Sequence, residues 1–129
     1  MKLNKQQREA LHAKFGGKCA YCGCELPKKW HADHIEPIYR GMKMYDKFNN
    51  QIVSMTRLEL DRIDNLNPAC PSCNGYKHTL TLDEFRNELS KQVERCMNNC
   101  NFKLALRYRQ ITINQLPIIF YFEKVANNE

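Results

Sequence analysis

Along the 129 residues no single hydrophobic period is sustained, and the stretches where one holds mark the predicted elements. Leu3, Ala10, Leu11 and Phe15 supply apolar positions for a helix over residues 4–15, with Asn4 as its N-cap and Gly16-Gly17 as its stop. A short strand is expected over Trp30 to Ile35, ended by Pro37. From Tyr39 to Ile63 the apolar residues recur without a period, which reads as a long loop with one short element. Asn65 to Pro68 is expected as an extended or turn segment, and PSCNGYKH as a short helix with Pro71 in its first turn. Leu82, Phe85, Leu89 and Val93 return at helical spacing, so a helix capped by Thr81 or Thr79 is predicted through to about Asn98. A further helix is expected from about Phe102 to Gln110. IIFYFEKV, after Pro117, reads as a strand from its β-branched and aromatic content.

Composition narrows the setting. A chain of this length is expected as a single domain over residues 1–129, with a modest core. Lys+Arg number 20 against 14 Asp+Glu, a formal charge of +6, which favours an anionic partner such as nucleic acid. No apolar run approaches the roughly eighteen residues of a membrane span, and MKLNKQQREALHAKF lacks the apolar centre of a signal peptide. A cytoplasmic protein with no membrane partner is therefore expected.

Seven cysteines in a reducing compartment, and an odd number of them, fit metal ligation better than a disulfide framework. Cys19 and Cys22 form one C-x-x-C and Cys70 and Cys73 a second. Two such turns can complete a tetrahedron of thiolates around one Zn²⁺, and a closed site of that kind holds a fold together without leaving a position for water. Cys24 offers an alternative ligand, but Cys22 repeats the spacing of the second pair. Cys96 and Cys100, four apart on the predicted helix, are expected as buried small hydrophobes, the other reading being a second metal site.

WHADHIEP, Trp30 to Pro37, concentrates the polar residues that could do chemistry. The run CAYC, then HADHIEP, then DNLNPACPSCNGYK resembles the HNH endonuclease family over about Phe15 to Lys77. The resemblance implies an α+β fold with a ββα-metal HNH core and a Cys₄ zinc site. The layout it suggests is an N-terminal helix within residues 3–18, the core over 19–78 and a C-terminal extension of helices plus a short strand over 79–129. It implies metal-dependent hydrolysis of phosphodiester bonds in double-stranded DNA, leaving 5′-phosphate and 3′-hydroxyl ends. Asp33 and Asn74 would hold one divalent cation, for which an open oxygen-rich site suits Mg²⁺ or Mn²⁺. His34 would be the general base that activates water, a task suited to an imidazole. Asn65 would hold the His34 segment in place, and Lys77 would sit near a phosphate as a point charge.

Adjacent residues of a regular strand point to opposite faces, so Asp33 and His34 share one site only if the strand twists or ends there. The same alternation puts His31 on the Asp33 side, as a further contact to metal or phosphate or as an exposed strand histidine. His34 and Asn65 are 31 positions apart, which implies an insertion at about residues 39–63. Arg40, Lys43, Lys47, Arg57, Tyr45 and Phe48 would make it either a DNA-contacting flap or a surface loop. The resemblance points to a phage or bacterial setting, with phage packaging or other DNA-processing proteins as partners. The competing function is a zinc-stabilised nucleic-acid-binding module without catalysis, which does not require Asp33, His34 and Asn74 to converge.

Overall fold

The computed structural model describes residues 2–39, 44–45, 47–52 and 57–127. The first helix, α1 (Lys5–Ala13), starts where predicted. Asn4 Oδ1 accepts the Gln7 amide at 2.8 Å and Gln7 Oε1 accepts the Asn4 amide at 3.0 Å, so two of the helix's unpaired donors are satisfied reciprocally. Leu11 is its buried residue and joins Trp30 and Leu66 in a small apolar cluster.

The cysteine knuckle follows. The Cys19 amide donates to Cys24 O at 2.8 Å and the Gly23 amide to Cys19 O at 3.0 Å, winding residues 19–24 into a tight loop. Gly23 has φ +79, and a Cβ there would lie 2.9 Å from the Tyr121 ring, so both conformation and space demand glycine.

Two strands, β1 (His31–His34) and β4 (Leu66–Ala69), pair antiparallel with His31 opposite Ala69 and His34 opposite Leu66. Between them lie the two-residue strands β2 (Met44–Tyr45) and β3 (Gln51–Ile52), a small hairpin of their own, and single 3₁₀ turns at Leu58–Leu60 and Ile63–Asn65. The predicted insertion therefore carries a hairpin with Lys47 and Phe48 at its exposed tip; Arg40, Gly41 and Lys43 lie outside the described residues. The Arg57 amide donates to Ile38 O at 2.9 Å, which closes the insertion at its base.

Helix α2 (Pro71–Lys77) leaves β4 directly, with Cys70 as N-cap and Pro71 in the first turn, where a missing N–H costs no hydrogen bond. β1, β4 and α2 form the ββα unit. The knuckle is stitched to it through the Ala20 amide, which donates to Pro68 O at 2.9 Å.

Helix α3 (Leu82–Ser90) has a Thr81/Glu84 capping box and buries Phe85. The expected continuation to Asn98 is corrected: the chain breaks at Lys91 (φ −94, ψ 0) before the short α4 (Gln92–Cys96). Leu82, Phe85 and Leu89 face the core, but Val93 is 37% exposed, so the apolar stripe leaves the core beyond Leu89. Helix α5 (Cys100–Arg107), capped by Asn99, begins two residues earlier than expected and ends before Arg109 at φ +58.

The predicted C-terminal strand is also corrected. Residues 121–127 form helix α6 (Tyr121–Asn127). Glu123 Oε1 accepts the Phe120 amide at 3.0 Å, and the Tyr121 and Phe122 amides donate to Tyr21 O and Ala20 O at 3.0 and 2.8 Å. A helix start leaves such amides unpaired, and here the knuckle carbonyls take them. Phe120 stacks on Phe85 at 5.4 Å, and both ring edges meet Tyr21, forming the main core with Cys19, Ala20, Ala69 and Cys70. Among the described residues no helix is long and apolar enough to cross a membrane.

Candidate functional site

The two C-x-x-C turns meet. The sulfurs of Cys19, Cys22, Cys70 and Cys73 all lie within 4.8 Å of one another, with Cys22 and Cys70 Sγ 3.9 Å apart. Zn–S bonds of about 2.3 Å put the sulfurs of a tetrahedron about 3.8 Å apart, so this donor set fits Zn²⁺. The Cys70 amide donates to Cys19 Sγ and the Cys73 amide to Cys70 Sγ, each at 3.4 Å, which stabilises charge on sulfur. The contact with Cys73, opposed by burial, draws the Cys19 thiol down to about 4, and the same contact pushes Cys73 up. Cys24 is exposed and is not a member of the cluster. Cys96 and Cys100 are exposed as well, which corrects the expectation of burial. They sit on separate helices, α4 and α5, because the chain breaks between them.

On the other side of α2 a cleft of about 290 Å³ is lined by Ala32, Asp33 and His34 of β1, Pro37, Ile38 and Tyr39 after it, and Asn74, His78 and Thr79 from α2 and its end. Asp33 and His34 both reach this cleft although they are neighbours on a strand, because β1 stops at His34 and the chain turns. His31 does not line it and is exposed at the far end of the strand.

Asp33 is only 4% exposed. Its Oδ2 accepts from the Tyr21 hydroxyl and pairs with Lys77 Nζ at 3.1 Å. Burial pushes the Asp33 carboxyl up, against the pull of Lys77 and Tyr21. Burial and the adjacent Asp33 charge also push the Tyr21 hydroxyl up, so Tyr21 stays a donor. Both of these contacts fall on Oδ2.

Lys77, expected near a phosphate as a point charge, is placed inside the fold against Asp33. Its side chain has no solvent exposure, and Nζ also donates to His34 O at 2.7 Å. A cation enclosed in this way braces the strand from within.

His34 Nε2 lies 2.8 Å from Asp61 Oδ1, a contact across the insertion that no sequence pattern announced. Asn65 is buried. Its Nδ2 donates to Glu36 O and Leu60 O at 3.0 and 2.8 Å, while Oδ1 accepts the Glu36 amide at 3.0 Å. The Ile35 amide reaches Asn65 O at 2.8 Å, so this asparagine fastens the turn that follows His34 on three sides. His78 ends α2 at φ +44, four residues after Asn74 on the same cleft.

Comparison with known proteins adds the family. Residues 19–80 match the family model described as HNH endonuclease. Over 77 residues the chain is 31% identical to "SPbeta prophage-derived putative HNH endonuclease YoqL" of Bacillus subtilis (strain 168), a match covering 60% of this chain and 30% of that protein. No solved structure matches significantly. The knuckle, both strands of the ββα unit, α2 and the cleft all fall within residues 19–80, the segment that matches the HNH endonuclease model.

Proposed function

We propose that the chain is a metal-dependent endonuclease that hydrolyses phosphodiester bonds of double-stranded DNA. One observation carries this reading: Asp33, His34 and Asn74 converge on one open cleft, which a purely binding zinc module would not need.

The donor chemistry of the cleft fits a hard cation. Asp33 and Asn74 line the open site and would offer it a carboxylate and an amide oxygen, the kind of donor set that Mg²⁺ or Mn²⁺ takes together with water and phosphate. Bound there, the ion would stabilise charge on the phosphate and leaving oxygen. His34 would take the proton of the attacking water. When neutral, its Nε2–H donates to Asp61, which leaves the lone pair on Nδ1 as the basic position. Asn65 holds the backbone after His34, and Lys77 anchors the His34 carbonyl, so the imidazole is fixed on both sides. The cysteine cluster would carry Zn²⁺ as a structural ion, and the +6 charge would draw the protein to DNA.

The test is conversion of supercoiled plasmid by the purified, zinc-counted protein with Mg²⁺, with Mn²⁺ and with EDTA. Nicked or linear product that EDTA abolishes while zinc stays bound is expected. Tight DNA binding without cleavage under any metal would favour the binding module.

A further inference from the structure

Tyr21 stands between two cysteines of the cluster and touches the other site. Its backbone belongs to the Cys19–Cys22 turn, its ring is held edge-on by Phe85 and Phe120 at 5.7 and 5.4 Å, and its hydroxyl ends on Asp33 Oδ2. Lys77 reaches the same oxygen at 3.1 Å from α2, the helix that also carries Cys73 and begins at Cys70. Both donors to Asp33 are therefore mounted on the two arms that the four cysteines clamp together.

We infer that Tyr21 is a positioning residue that couples the cysteine cluster to the cleft: with Lys77 it pins Asp33 Oδ2, so that Oδ1 is pre-aimed at the catalytic cation. This rests on the reading of Asp33 as a metal ligand. The physical content is orientational. A carboxylate with one free torsion beyond its Cβ presents either oxygen or rotates out of line, and two fixed donors on one oxygen remove that freedom before the cation arrives. Partners behind a metal ligand of this kind typically tune affinity by tenfold or more. Opening of the cysteine cluster, by loss of zinc or oxidation of its thiols, would release the Tyr21 arm and weaken cation binding in the cleft without touching a cleft residue.

The experiment is a Mn²⁺ titration of the zinc-loaded full chain, with free Mn²⁺ followed by its paramagnetic resonance signal, for wild type, Tyr21→Phe, Asp33→Ala and Leu11→Ala. Tyr21→Phe keeps the ring and its packing and removes only the hydroxyl. Leu11→Ala loosens the separate cluster of Leu11, Trp30 and Leu66 and touches neither Tyr21 nor Asp33. The expected result is Mn²⁺ binding weakened about tenfold in Tyr21→Phe, lost in Asp33→Ala, and unchanged in Leu11→Ala despite a lower melting temperature. Wild-type affinity in Tyr21→Phe, with binding lost in Asp33→Ala, would overturn the coupling and leave the metal site standing. Wild-type affinity in Asp33→Ala would remove the metal reading and the coupling with it. Equal weakening in Tyr21→Phe and Leu11→Ala would reduce the effect to general loosening and overturn the positioning role.

Discussion

The cysteine cluster and the cleft share one helix and differ in almost everything else. Four sulfurs within 4.8 Å of one another make a closed, soft-donor site whose ligands are backed by amides. The cleft offers a carboxylate, an amide and imidazoles around roughly 290 Å³ of open space. A seven-residue helix serves both because successive side chains are rotated by about 100°: Cys73 turns to the cluster, Asn74 to the cleft and Lys77 into the interior. The difference teaches that a thiolate site can hold a small fold rigid so that an oxygen site beside it stays open. Perturbing the first should cost structure, and perturbing the second should cost only chemistry.

The largest expected effect is on the closed side. Cys70→Ala removes one sulfur of the cluster and the α2 N-cap together, and a structural zinc held there would contribute on the order of 10 kcal/mol, comparable to the whole stability of a domain this size. Amide spectra of the variant should collapse to those of an unfolded chain, and a native spectrum would break the comparison.

Lys77→Ala comes next. A lysine that touched phosphate would lower DNA affinity and its salt dependence, whereas one enclosed against Asp33 leaves a buried carboxylate unpaired, at about 3–5 kcal/mol. Chemical denaturation should show that loss. Undiminished stability together with a shallower salt slope of DNA binding would restore the phosphate role.

Asp61→Asn should reduce cleavage on the order of tenfold while leaving the unfolding midpoint close to wild type, because the imidazole remains but its tautomer is no longer fixed. Steady cleavage in this variant would mean that His34 does not depend on Asp61.

The smallest effect sharpens the comparison from outside both sites. Burial pushes the Glu123 carboxyl up, but the Arg86 guanidinium and the Phe120 amide outweigh it and hold it below the usual glutamate range. A lowered folded pKa stabilises above the unfolded value and loses that contribution as pH falls through the folded one. Glu123→Gln should therefore cost less than about 1 kcal/mol at neutral pH, since the Arg86 pair is about one-third exposed. The difference from wild type should vanish in acid, as thermal melts across pH would show.

What was legible in the sequence was what depends on short range. The two C-x-x-C spacings, the Asn4 and Thr81 caps and the strand between Trp30 and Pro37 are local signals, and the structure has a matching element at each. The misread parts depend on distant partners. Ile118 to Val125 has strand composition, but Glu123 and two knuckle carbonyls offer a helix start that only the folded chain brings together. Lys77 looks like a surface cation until Asp33 is brought against it. Asp61 lies 27 positions from His34 in a stretch with no period, so nothing local could have joined them.

The central claim is that the cleft cuts and the cluster holds. It is tested most directly by the plasmid-nicking rate of His34→Ala beside wild type, both carrying one counted zinc and giving matching amide spectra. A fall of about 10²- to 10⁴-fold with fold and zinc intact is the predicted result. An unchanged rate, with zinc and fold equally intact, would contradict the account and move the chemistry out of this cleft.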